Sequence, residues 1–251
     1  MNMKVTSVEF PASALRKLGQ DEQVFLVLLV RLLNEINILS KCIIIASSAL
    51  ANLTRHKETA QRVQALFFTR ELAGKLWEGW ELIRKSYFRS KLSVGYEKLL
   101  GDKGRDVLRQ MREYFGRSVC PVRLIRNKHA FHFDAFDADV IAKELARLDR
   151  DDVETMVLAD RGNSLYTFGE DITTLSILRL FDSDQQAAMD KMFREVAIQV
   201  PNWFQEFAAD VLIAFVQKAA ETTIKEEVLE EVPQLDAVRL PFFVTRPSAP
   251  Y

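Results

Sequence analysis
The chain has 251 residues, 48% of them apolar and 27% charged, with a formal net charge of −1. This is the composition of a folded globular chain, and so small a charge excludes a global field that draws the protein onto nucleic acid. Two cysteines, Cys42 and Cys120, make no disulfide framework, and only 9 glycines and 7 prolines argue for long unbroken helices.

In chain order, Lys4 to Phe10 alternates weakly and reads as a short strand or extended arm, broken by Pro11. The opening residues MNMKVTSVEFPAS hold no apolar signal core, so the cytoplasm is the expected location. Asp21 can cap a helix from about Glu22 to Ala51. Phe25, Leu28, Leu29, Leu32, Ile36 and Ile43 give that helix a broad apolar face. Arg31, Glu35 and Lys41 interrupt it, which makes it a buried helix and not a membrane span. Glu35 is expected to pair with Arg31 one turn back rather than to lean toward Arg126.

Thr54 can cap a second long helix, running to about Arg89. Its Trp77 and Trp80 are expected in the core rather than against a ligand. A loop at Ser90 to Gly95, a short helix at Tyr96 to Leu100 and a helix from Gly104 to Phe115 follow, the last ended by Gly116. Asp137 caps a helix over 138–148. Strands at 154–158 and 165–168 flank the turn Asp160-Arg161-Gly162-Asn163, making a β-hairpin insertion within 153–168. Helix resumes over 172–181 and again from Asp184 to about Thr222, with a kink at Pro201. The tail, 237–251, reads as extended, packed along the bundle or clipped onto a partner. The expected fold is mainly α: one domain over 1–251, a bundle of long antiparallel helices with a small β-hairpin insertion.

Chemistry concentrates in Pro121 to Phe136, PVRLIRNKHAFHFDAF, which carries two of the three histidines. Val122, Ile125, His129, Phe133 and Phe136 recur at helical spacing and form one apolar stripe. At 100° per residue, Arg126 and His132 lie about 60° to either side of His129, at the rim of that stripe. His129, on the stripe, suits a hydrogen-bonded core role better than a catalytic one. His129, His132 and Asp134 also admit a metal reading. Helical ligand pairs are usually spaced i, i+4, so no metal is expected. No Gly-rich phosphate loop or serine elbow is present, and no cofactor is expected.

From Gly101 to Lys128 there are eight basic and three acidic residues, a local +5; from Asp134 to Glu154, three basic and eight acidic residues give −5. The basic stretch leads into the Arg126 helix, as an RNA backbone would require. Mutual pairing along amphipathic helices is the competing account, and the weightier one.

Arg126, Asn127 and His132, an arginine with a polar residue behind it and a histidine six positions on, resemble the motif of the HEPN superfamily. That resemblance implies a metal-independent endoribonuclease, often of a toxin–antitoxin or phage-defence system, or else a non-catalytic helical binding module. It implies Arg126, His132 and Asn127 as catalytic residues, with Lys128, Arg123 and His129 on the substrate. An imidazole can move the ribose 2′-hydroxyl proton and a guanidinium can hold the phosphate. One catalytic histidine per chain is few for both acid and base work, so a homodimer with a shared cleft is expected. The expected partners are RNA, a second copy of the chain, and an antitoxin or other protein.

Overall fold
The computed structural model describes residues 2–48, 53–130, 138–147, 155–160, 162–218 and 222–245. It is mainly helical with two small antiparallel sheets. Strand β1 is Met3–Glu9, α1 is Ala12–Arg16, and α2 is Gln20–Ser47. Helix α3, Arg55–Leu82, passes into a π-helical turn at Ile83–Phe88. Then come α4 (Leu92–Tyr96), α5 (Asp102–Phe115), α6 (Pro121–Ile125) with a π turn at Arg126–Ala130, and α7 (Ala138–Leu145). Strands β2 (Met156–Val157) and β3 (Leu165–Tyr166) precede α8 (Thr167–Leu178) and α9 (Gln185–Met192). A π segment at Phe193–Gln199 leads into α10 (Val200–Lys218), and β4 is Thr223–Leu229.

Helices α2 and α3 form an antiparallel hairpin. Phe25 meets Tyr87 with ring centroids 5.4 Å apart, and Glu35 meets Lys75 at 2.9 Å, so rising numbers on one helix pair with falling numbers on the other. Glu35 also bonds Arg31, as its spacing predicts, and these two cations, Lys75 first, hold its carboxyl below the usual range. Helix α10 runs antiparallel to α2, through Gln205 to Asn37 at 3.0 Å and Lys218 to Glu22 at 3.3 Å.

The three helices meet at Gly79. A Cβ there would lie 2.5 Å from Leu32 Cδ2 and 2.8 Å from Phe204 Cε1, so no larger residue fits without displacement. Aromatic rings fill the space beside it: Trp80 stacks on Phe115 at 5.0 Å, and Tyr87 sits edge-on to Phe207 at 5.2 Å. Such pairs add about 0.5–1.5 kcal/mol beyond the area they bury.

Pro201 has no N–H to close on the carbonyl four residues back. The expected kink takes the form of π winding over the preceding Phe193–Gln199. Asp184 caps α9 by accepting from the Ala187 N–H at 2.7 Å. The short helix after α3 lies at Leu92–Tyr96, where the sequence reads as loop; the Ser90 hydroxyl accepts the Leu92 N–H at 3.2 Å and opens it earlier.

The hairpin is present, with Met156 opposite Tyr166 and Val157 opposite Leu165, and Gly162 takes φ +82° in its turn. Thr167 closes its open end, bonding both the N–H and the carbonyl of Thr155, and α8 starts there, five residues earlier than expected. Beyond the turn, the Asn163 side chain grips Val244: its amide donates to the carbonyl at 2.9 Å and its oxygen accepts the N–H at 2.9 Å. The described part of the tail therefore packs along the bundle. Replacing Asn163 by alanine removes two bonds of about 1 kcal/mol each. Trypsin should then cut after Arg239 on the order of tenfold faster; an unchanged rate would mean the clamp contributes nothing.

The ends of the described chain are joined by a second ladder that the sequence does not display. β1 pairs antiparallel with β4, from Met3 opposite Leu229 to Glu9 opposite Thr223. Among the described residues no helix is long and apolar enough to cross a membrane.

Candidate functional site
Pro121 takes the first position of α6, where its missing N–H costs nothing, behind Cys120 as N-cap. Val122 and Ile125 are buried as the stripe predicts, and burial raises the pKa of the Cys120 thiol. At Arg126 the winding widens into the π turn that runs to Ala130. A π turn shifts the phase of the side chains after it, so the 100° geometry drawn from the sequence holds only up to Ile125.

Arg126 lies on the bundle rim, its side chain 30% exposed, against the C-terminal part of α3. Its Nε and Nη2 both donate to Glu78 Oε1, at 3.0 and 2.8 Å, and its Nη1 donates to Asn127 Oδ1 at 3.2 Å. The sequence predicted Asn127 beside Arg126 but not Glu78, which comes from 48 residues upstream. Glu78 itself is 52% exposed. An ion pair this open to water contributes about 0–1 kcal/mol. It orients the guanidinium without committing it.

Arg123 donates to the Ser118 carbonyl at 2.5 Å and lies over the half-buried Trp77 ring, 5.8 Å from its centroid. Lys128 is half-buried and already engaged. His129 falls on the π turn, but its side chain, like all of His132, Phe133, Asp134 and Phe136, lies outside the described residues. Arg123, Arg126 and Asn127 are thus gathered at one end of α3. Among the described residues no three metal-ligating side chains come together.

The basic run of Gly101 to Lys128 does not form an open stripe. Arg105 pairs with Asp102, Arg109 with Asp106, Arg112 with Glu97 at 2.9 Å, and Lys103 with Glu206 at 2.5 Å. Mutual pairing, the weightier of the two readings, describes these four.

Other polar chemistry gathers at the opposite end of α3, where the sequence reading placed nothing. A cleft lined by Arg55, His56, Thr59 and Arg62 faces Thr155, Thr167 and Asp171. The spacing 55, 59, 62 is a legible helical stripe; its partner Asp171 arrives only through the fold. Burial pushes the Asp171 carboxyl above its usual range, against the pull of Arg62 at 2.9 Å. Nearby, Arg70 grips Glu170 through two bonds of 2.6 and 3.1 Å and fastens α8 to α3. Comparison with protein-family models, curated proteins and solved structures finds no match to this chain.

Proposed function
We propose that this chain is a HEPN-like, metal-independent endoribonuclease of the toxin–antitoxin or phage-defence kind. The observation that carries the reading is the setting of Arg126: on the rim, oriented by Glu78, with Asn127 bonded to its outer nitrogen. An approaching phosphodiester competes with an exposed carboxylate for that guanidinium, an exchange that costs about 0–1 kcal/mol. The reading then assigns the proton work to His132. The ribose 2′-oxygen attacks phosphorus as its proton leaves to an imidazole. The bond to the 5′-oxygen breaks as that oxygen takes up a proton, and the products are a 2′,3′-cyclic phosphate and a 5′-hydroxyl. A second copy across a shared cleft supplies the second imidazole.

A non-catalytic binding module is the second reading, favoured by the pairing of Lys103, Arg105, Arg109 and Arg112, whose neighbouring carboxylates offset the positive charge a nucleic acid would need. The deciding assay is RNA cleavage in excess EDTA, with product ends analysed, alongside the Glu78→Gln variant. Cyclic-phosphate ends from wild type are expected, with tighter RNA binding by Glu78→Gln, because the guanidinium loses its competitor. Intact RNA across structured and unstructured substrates would sink the nuclease and leave the binding module.

A further inference from the structure
The cleft at the start of α3 is built from two facing walls. One is the stripe Arg55, Thr59 and Arg62 with His56 beside it; the other is the hairpin and the first turns of α8, which bring Thr155, Thr167 and Asp171. Its volume is about 60 Å³, room for more than one water molecule and too little for a whole nucleotide or cofactor.

Among the described residues the charges on those walls do not balance. Arg62 is matched by Asp171 at 2.9 Å. Arg55 and His56 line the same cleft and make no hydrogen bond or ion pair with a described residue. Counting Arg55 and Arg62 against Asp171, two positive and one negative, the lining keeps one positive charge before His56 is considered. A surplus cation in a confined concavity concentrates anions there. Thr167 does not compete for Arg55: its hydroxyl is spent on the Thr155 backbone, through bonds of 2.9 and 3.1 Å.

We propose that this cleft is a phosphate-group site. Arg55 and His56 hold the oxyanion, the Thr59 hydroxyl donates to it, and Arg62, fixed by Asp171, closes the far side. The volume admits only the phosphate head, so whatever carries it stays outside. The proposal stands independently of the nuclease reading. From Arg62 to Glu78 is 16 residues of α3, about 24 Å at 1.5 Å per residue, so the two sites do not overlap.

The test follows the His56 ring signals by NMR during titration with inorganic phosphate, against chloride at matched ionic strength. The signals are assigned by their loss in His56→Asn. A saturable shift is expected with phosphate and not with chloride, with Kd on the order of 1 mM. Arg55→Gln should weaken it about tenfold. Asp171→Asn should tighten it, because a competing carboxylate is gone. Arg55 is exposed, so its variant is expected to fold, and an unchanged amide spectrum confirms that. A linear, non-saturating response, or the same affinity in Arg55→Gln as in wild type, overturns the site. A second titration with short RNAs bearing or lacking a 5′-phosphate separates a nucleic-acid end from free phosphate as the natural source.

Discussion

Replacing Arg126 by alanine is expected to lower metal-free RNA cleavage by about 10²–10³-fold in kcat/KM, the usual effect of removing one preorganised charge donor. Arg126→Lys should recover little of it. Lysine is a point charge and cannot make the two parallel bonds to a phosphate that a guanidinium makes. His132→Ala should cost about 10²–10⁴-fold, the range for a lost proton-transfer group. These losses should not be failures to fold. The Arg126 side chain is 30% exposed and its partner Glu78 is 52% exposed, so the truncation leaves no carboxylate buried and alone. The stability change should stay within about 1 kcal/mol. Single-turnover cleavage in EDTA, with thermal melts on the same samples, checks both halves. If Arg126→Ala and His132→Ala both cut RNA at the wild-type rate, the chemistry lies elsewhere.

Gly79→Val should destabilise the helical core. Even the first added carbon lands 2.5 Å from Leu32 Cδ2 and 2.8 Å from Phe204 Cε1, inside any real contact distance. Both neighbours are buried, Leu32 at 7% and Phe204 at 0% exposure, so neither can swing out to water. Overpacking of this kind costs about 1–3 kcal/mol, or on the order of 5 °C in Tm for a chain of this size. Phe204→Leu shortens one of the obstructing groups, so the double variant should lose less than the sum of the two single losses. Urea denaturation of all four proteins measures that coupling. Strict additivity would mean that α3 and α10 do not meet at Gly79 as described.

The long helices were legible because their apolar positions recur every three or four residues, a signal that needs only the segment itself. The same holds for the hairpin, where Gly162 marks a turn that favours positive φ. β4 was not legible: Thr223–Leu229, TIKEEVL, holds three charges and no clean alternation. It is a strand because β1 lies beside it, and no local window contains β1. The π turn at Arg126 is of the same kind, since nothing in RNKHA distinguishes one winding from another; at Phe193–Gln199 Pro201 announced a break but not its form. At the candidate site, the sequence supplied Arg126 and Asn127 but not Glu78; at the start of α3 the helical spacing of Arg55, Thr59 and Arg62 was there to be read but was not singled out, and Asp171 had no local signal at all. In both cases the missing member is a carboxylate brought in from a distant segment.

The β1/β4 ladder constrains how the chain is made. Ser7 and Lys225, bonded across it at 3.5 Å, are 218 residues apart. Closing so long a loop is entropically expensive and slow relative to local helix formation. During synthesis β1 leaves the ribosome well before β4, and it has no partner until β4 follows. Over that interval its edge, with Met3 and Val8, is open to other chains. A nascent chain halted short of Thr223 should therefore be far more aggregation-prone than the finished one, and Lys4 and Glu9 are the charges that guard its first strand meanwhile.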